Sequence, residues 1–296
     1  MVTTGNFDGV HIGHQALFHE VIEKADAIDG TSVAITFDPH PIRVLKKNGH
    51  PPLITLLNQK TELIESTGVD VLIVIPFSTE FAALSAREFV TDILVGKIGM
   101  RAIVVGSDYS FGRNREGNLA LLREMAREIG FEVMLTDWIQ GPDADNTDRI
   151  SSTRVRELVK EGDMDRTRKQ LGRYYQIRGK VATGRNRGGR LLGFPTANIN
   201  LHDELSPKTG VYAVTVEWRD QHFKGVANIG YSPTFDDCIF TVEVHILDFD
   251  GDLYGETIRV NFIRRLRAEI KFSGIDALSE QIKQDILKAR ELLENI

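Results

Sequence analysis

The hydrophobic rhythm of the chain changes part-way along its length. In the first half, apolar runs at Ser32 to Phe37, Asp70 to Phe77, Ala102 to Gly106 and Phe131 to Asp137 read as buried strands, preceded by a β-prone start at Met1 to Thr4. Between them, apolar residues recur at helical spacing near 13–28, 58–67, 85–98 and 117–130. Alternating strand and helix predict an α/β domain with a parallel, doubly wound sheet, in which ligands sit at C-terminal strand ends and helix starts. Around Glu161 to Tyr174 the periodicity fades and charge dominates, which predicts a helical connector and domains at 1–173 and 174–296. Beyond it, Tyr175 to Thr183, Gly210 to Trp218, His222 to Ile229, Phe240 to Leu247 and Glu256 to Phe262 alternate with period two, with turn signals at Arg219-Asp220 and Asp250-Gly251. Short strands of this kind predict a compact antiparallel β-barrel. Leu278, Ile282, Ile286, Ala289 and Leu293 form one stripe of a closing helix, read as core packing.

Residues suited to phosphate chemistry fall where those elements begin and end. Gly5, Asn6 and Phe7 open a glycine turn after the first strand, and His11 and His14, with Gly13 between them, stand where the next helix starts. A helix N-terminus attracts anions, and two imidazoles there suit the α-phosphate of ATP. A phosphate attacking that phosphorus is already anionic, so it needs charge neutralisation and alignment more than a base. Ser151, Ser152 and Thr153 offer hydroxyl caps for a later helix on which Arg156 suits a pyrophosphate; an ordinary N-cap with a solvated arginine is the alternative.

The second half has its own cluster. A loop from Gly184 to Leu192, containing Gly189 and Arg190, offers backbone N–H groups to phosphate oxygens, and Pro195 stiffens the turn that follows. If the next residues are extended, Thr196 and Asn198 point the same way and offer oxygen ligands to one Mg²⁺. The bland reading is a tight turn beside a solvated basic loop. In the strand from Phe240 to Leu247, Phe240, Val242, Val244 and Ile246 share one face and Thr241, Glu243 and His245 the other. An attacking alcohol gains from losing its proton, and Glu243 is the natural base, although glutamates on solvated faces are common.

The runs GNFDGVHIGH at 5–14 and ISSTRVR at 150–156 resemble the HxGH and ISSTxxR motifs of the nucleotidyltransferase superfamily, and GFPTAN at 193–198 resembles the riboflavin kinase signature. Together with Thr36 to Pro41 and Gly106 to Arg113, in that order along the chain, they are similar to the bacterial bifunctional riboflavin kinase and FAD synthetase family. That resemblance implies a nucleotidyltransferase domain followed by a riboflavin kinase barrel. It implies phosphorylation of riboflavin to FMN and adenylylation of FMN to FAD, with ATP as co-substrate of both steps and Mg²⁺ held by Thr196 and Asn198. By the same resemblance Glu243 is the kinase's catalytic glutamate, and Asp38, His40, Asp108, Tyr109 and Phe111 contact flavin. Two features depart from the family pattern. The opening strand is shorter, which leaves residues upstream either missing from the chain or naturally absent, and the loop from Gly184 to Gly189 is about one residue longer. That loop comes near a Walker A pattern, but Arg190 and Leu191 replace its lysine and hydroxyl residue.

Composition narrows the setting. At 296 residues with 42% hydrophobic content, the chain is long enough for two cores. Its most apolar run, Val71 to Phe77, is far short of the roughly 20 residues that cross a bilayer. The single cysteine, Cys238, cannot form an internal disulfide, and no charged and apolar export signal opens the chain, so a reducing cytoplasm is expected and a membrane partner is not. A net charge of -6 argues against nucleic acid, and small anionic ligands account better for the arginines at 185, 187, 190, 264, 265 and 267. Oligomeric state has no signal in the pattern. Competing readings are a flavin-storage protein, which has no use for a base, an enzyme active in one domain only, and an adenylyl or cytidylyl transferase for another phosphate ester, which the GFPTAN block opposes.

Overall fold

A computed structural model of the chain describes residues 1–46, 49–136, 149–182, 193–201, 203–233 and 238–296, with the strand path alone at 231–233 and 238–240. They divide into two compact units, Met1–Ser152 and Thr153–Ile296.

The first unit is built on five parallel strands, β1 (Val2–Thr4), β2 (Val33–Asp38), β3 (Val71–Pro76), β4 (Ala102–Gly106) and β5 (Glu132–Thr136), in the order β3-β2-β1-β4-β5. Short as it is, β1 is the central strand: Val2 pairs with Val33 on one side and Ile103 on the other, and all three of its residues are buried. One face of the sheet is covered by α1 (Ile12–Asp26) and α3 (Leu57–Glu65), where Phe18 and Ile64 pack with Phe7, Val10 and Ala34. The other face buries Val2, Ile35, Ile103 and Val105 against Phe89, Val90 and Leu94 and against Leu122 and Met125 of α6 (Leu119–Ile129). Two shorter helices, α2 (Pro41–Leu45) and α4 (Thr79–Ala82), follow β2 and β3.

The segment expected as one helix at 85–98 begins as α5 (Ala86–Glu88), opened by a reciprocal capping box between Ser85 and Glu88, and continues as a π-helix over Phe89–Lys97. Strand order reverses between β1 and β4, so the loops leaving β1, β2 and β4 meet at one edge, the crevice where sheets of this kind bind ligands.

From Thr153 the second unit opens with α7 (Ser152–Glu161), followed by α8 (Met164–Leu171), which falls within the charged connector expected at Glu161 to Tyr174. Helix α8 packs on the barrel, with Met164 and Leu171 buried and Asp165 paired with Arg264 at 3.0 Å. Among the described residues six antiparallel strands close the barrel: β6 (Tyr175–Ala182), β7 (Ala197–Asn200), β8 (Gly210–Trp218), β9 (Gln221–Pro233), β10 (Cys238–Ile246) and β11 (Thr257–Arg267), in the order β10-β7-β6-β11-β8-β9. Inside, Tyr175 and Tyr212 pack on Phe262, and their hydroxyls, which need partners once buried, donate to the carbonyls of Leu205 and Lys208. The last helix, α9 (Ile275–Leu293), lies on the outer face of the barrel. Its stripe is only partly core. Ala289 and Leu293 are buried against Ala213 and Ile263, whereas Leu278, Ile282 and Ile286 are half-buried and wall a cavity.

Candidate active sites

At the end of β1 the chain turns through Gly5 to Val10 in a conformation that needs support. Phe7 and Val10 have φ of 48° and 40°, a region costly for residues with a Cβ, by about 1–3 kcal/mol each. The support comes from beneath. The buried Asp8 carboxylate accepts from the backbone N–H groups of Ile54 at 3.0 Å and Thr55 at 3.1 Å, while Gly9 N–H donates to Thr55 Oγ1 at 3.0 Å. The loop thus delivers the two histidines in a fixed pose. His11 caps α1 by accepting from His14 N–H at its Nδ1, 3.3 Å away, and the two imidazoles stack with centroids 3.5 Å apart. Gly13 leaves that stack room: a Cβ there would press on the His11 ring, 3.2 Å from Nδ1. Ser152 Oγ donates to the Asp8 carbonyl at 2.8 Å, joining the second motif to the first, with Ser151 just ahead of it. Thr153 and Arg156 follow on α7, within the second unit.

The neighbouring loops hold the remaining first-unit residues. Asp38 ends β2, and His40 caps α2 by accepting from Ile42 N–H at 3.2 Å. After β4, Tyr109 and Phe111 stack with centroids 5.1 Å apart, and Asp108 is paired with Arg149 at 2.7 Å. Burial pushes the Tyr109 phenol above its ordinary pKa, with a hydrogen bond to Thr4 opposing the shift.

In the second unit, β10 carries Glu243 between two amides. Its direct cross-strand partners are Asn198 on β7 and Asn228 on β9, so three polar side chains stand side by side on the outer face, while Val242 and Val244 point into the barrel. Asn198 donates from Nδ2 to the Thr196 carbonyl at 3.4 Å, which turns its amide oxygen the other way. One pair further along, His245 Nδ1 lies 2.9 Å from the Pro195 carbonyl and its ring meets Phe194 edge-on, fastening this motif to β10. Thr196, Asn228, Glu243 and His245 line one side of a cavity of about 360 Å³, and Phe272, Leu278, Ile282 and Ile286 form an apolar wall for it. Arg267 and Asp285 close part of its boundary. Arg267 grips Asp285 through Nε at 2.9 Å and Nη2 at 2.7 Å, and Gln281 donates to the same carboxylate at 3.0 Å. Gly184, Gly189 and Arg190 lie outside the described residues.

Comparison with known proteins separates the chain along the same line. A family model for FAD synthetase matches residues 1–154, and one for riboflavin kinase matches 171–293. Bifunctional riboflavin kinase/FMN adenylyltransferases from Haemophilus influenzae and from Escherichia coli K12 are 36% and 37% identical to the chain; both alignments cover 98% of it and 92% of the relative. The chain belongs to the bifunctional riboflavin kinase/FMN adenylyltransferase family. The Listeria monocytogenes member is 38% identical, over 96% of the chain and 90% of its own length. A solved structure from Streptococcus pneumoniae, described as a macrolide-efflux protein, superposes with a TM-score of 0.86 at 33% identity, covering 98% of the chain and 93% of its own.

In this bifunctional chain, several site residues escape a reading of motifs. Asn228 carries no motif, yet the two-residue turn at Arg219-Asp220 sets Trp218 opposite Gln221 and, counting back, Val211 opposite Asn228. Lys60 is buried on α3, four residues before the buried Ile64 and so on the same side of the helix; a lysine inside an apolar stripe was the available signal. The Arg267–Asp285 pair joins β11 to α9, and nothing local in the sequence predicts it.

Proposed function

We propose that Glu243 and Asn228, which share a cavity with the apolar wall of α9, together with Asn198 paired beside Glu243, mark where the chain phosphorylates riboflavin. The apolar wall suits the flavin ring, and the polar row suits the hydroxyl end. Glu243 takes the hydroxyl proton as that oxygen attacks the γ-phosphorus of ATP; the bond to the β-phosphate oxygen breaks, and FMN and ADP result. Thr196 and Asn198 supply hard oxygen donors next to the carboxylate, a set that fits Mg²⁺, which when bound neutralises phosphate charge. Gly184, Gly189 and Arg190 are assigned to the phosphates on the family pattern.

FMN is then adenylylated in the first unit. Its phosphate oxygen attacks the α-phosphorus of a second ATP, pyrophosphate leaves, and FAD forms; no general base is required. The stacked His11 and His14 offer ring N–H groups to the α-phosphate, helped by the loop of Gly5, Asn6, Phe7 and Gly13; Ser151, Ser152, Thr153 and Arg156 are assigned to the phosphates on the family pattern. Asp38, His40, Asp108, Tyr109 and Phe111 are assigned to the flavin side. Among the described residues no helix is long and apolar enough to cross a membrane, and we place the enzyme in the cytoplasm.

The kinase assignment is tested with Glu243→Gln and with a chelator. The substitution is expected to lower FMN formation by roughly 10²–10⁴-fold while FAD formation from supplied FMN continues. Chelation should stop FMN formation. Equal losses of both activities in the variant, or full activity in excess chelator, would refute the base or the metal respectively.

A further inference from the structure

Lys60 is 6% exposed, and each of its three ammonium protons has an acceptor: the Asn6 carbonyl at 3.2 Å, Thr36 Oγ1 at 3.0 Å and the Phe37 carbonyl at 3.4 Å. Thr36 donates in turn to the same Asn6 carbonyl at 3.2 Å. A small ring of hydrogen bonds therefore joins the loop after β1 to the end of β2. Burial lowers the lysine pKa from its ordinary value, while Asp8, in the first of those segments, and Asp38, at the end of the second, act against the shift. Packing alone gives no reason for the charge. A buried cation is costly to desolvate, and a methionine would fill similar space without that cost.

What the ammonium secures is the direction of two peptide groups. A non-proline peptide is trans, so drawing the Asn6 oxygen toward Lys60 turns the Phe7 N–H to the opposite side. That direction is set at a residue whose φ of 48° the chain would not adopt unaided. The Phe37 oxygen fixes the peptide that enters Asp38 in the same way.

We propose that Lys60 is a positioning residue of the adenylyl-transfer site, its ammonium holding the nucleotide-side loop at Asn6–Phe7 and the flavin-side strand end at Phe37–Asp38 in one mutual alignment. With all three protons engaged, it acts through those peptide groups and not on a substrate. The inference rests on the reading of this unit as the FAD-forming site.

The test uses the full chain with Lys60→Met and Thr36→Val, the second of which keeps the shape of Thr36 and both carbonyl acceptors but opens the ring. FAD formation from FMN and ATP with Mg²⁺ is measured as kcat and KM per folded molecule, with riboflavin phosphorylation by the same samples as the internal control. Lys60→Met is expected to lose about 10²-fold in kcat, the scale of a small misalignment of reactants, with the kinase unchanged. Thr36→Val should lose about tenfold, one hydrogen bond's worth. Parental kcat per folded molecule in both variants would overturn the proposal, leaving Lys60 a structural residue only. If Lys60→Met does not fold, Thr36→Val decides alone. Absence of FAD from the parent protein would instead sink the adenylyltransferase reading. Amide exchange across Gly5–Val10, expected to quicken in the variants, then judges Lys60 separately, and unchanged exchange overturns it.

Discussion

Replacing Asp285 by Ala should loosen the second unit and its cavity together. The Asp285 side chain is 3% exposed and that of Arg267 20%, so the substitution strands a guanidinium that water reaches poorly. Removing one partner of a buried ion pair costs about 3–5 kcal/mol. Arg267 retains one bond, from Nη1 to the Ala268 carbonyl at 2.9 Å, which places the expectation at the lower end, ~3 kcal/mol. For a unit of this size that corresponds to a midpoint lower by roughly 6–12 °C. Because both side chains border the cavity, KM for riboflavin should rise as well, while FAD formation from supplied FMN should not change. Scanning calorimetry of the full chain, with both activities measured below the first transition, reads all three quantities. A double variant, Arg267→Met with Asp285→Leu, separates charge from packing: it should regain most of the lost stability, since an apolar pair needs no desolvation. Unfolding of Asp285→Ala at the parental midpoint would show that Ala289 and Leu293 dock α9 without help from the pair.

His14→Ala should abolish FAD synthesis and leave the kinase intact, so that FMN accumulates from riboflavin; a variant making FAD at the parental rate would remove the histidine pair from the mechanism. We also propose that the minimal kinase lies at 174–296, and expect a 175–296 fragment to fold less stably than 153–296. It gives up the burial of Met164 and Leu171, worth roughly 3–6 kcal/mol, and the Asp165–Arg264 pair. Equal unfolding midpoints for the two fragments would contradict this. Acid stability offers a further check, because hydrogen bonds from Ser32 Oγ and N–H, at 2.7 and 2.8 Å, hold the Asp70 carboxyl below its ordinary pKa. A depressed folded value gives stability that is present above the unfolded pKa of about 3.9 and lost as pH falls through the folded one. Ser32→Ala removes the hydroxyl bond and keeps the one from the backbone N–H, so it should partly flatten the acid limb of urea midpoints, and an unaltered limb would show the hydroxyl bond to be idle.

Where one element's own rhythm decides its form, the sequence was readable. The apolar strands of the first unit and the alternating strands of the barrel are each dictated locally, and Ala102–Gly106 and Gly210–Trp218 begin and end where the pattern says. Strand β7 is four residues long and begins within the 193–198 motif, too short for alternation to declare it except conditionally. The helix stripe from Leu278 to Leu293 announced an apolar face but not what the face meets. Three of its five residues, Leu278, Ile282 and Ile286, wall a cavity, because what they meet is set by residues on other elements. The motif residues were legible because their chemistry is concentrated in short runs. Asn228, Lys60 and the Arg267–Asp285 pair were hidden because each acquires its meaning from a partner on another element.

That one chain performs both steps can be followed in a single time course. The purified protein is incubated with riboflavin, ATP and Mg²⁺, and flavins are separated by chromatography at intervals. FMN should rise first, with FAD following at its expense. Riboflavin recovered unchanged, or FMN that accumulates without ever becoming FAD, would contradict it.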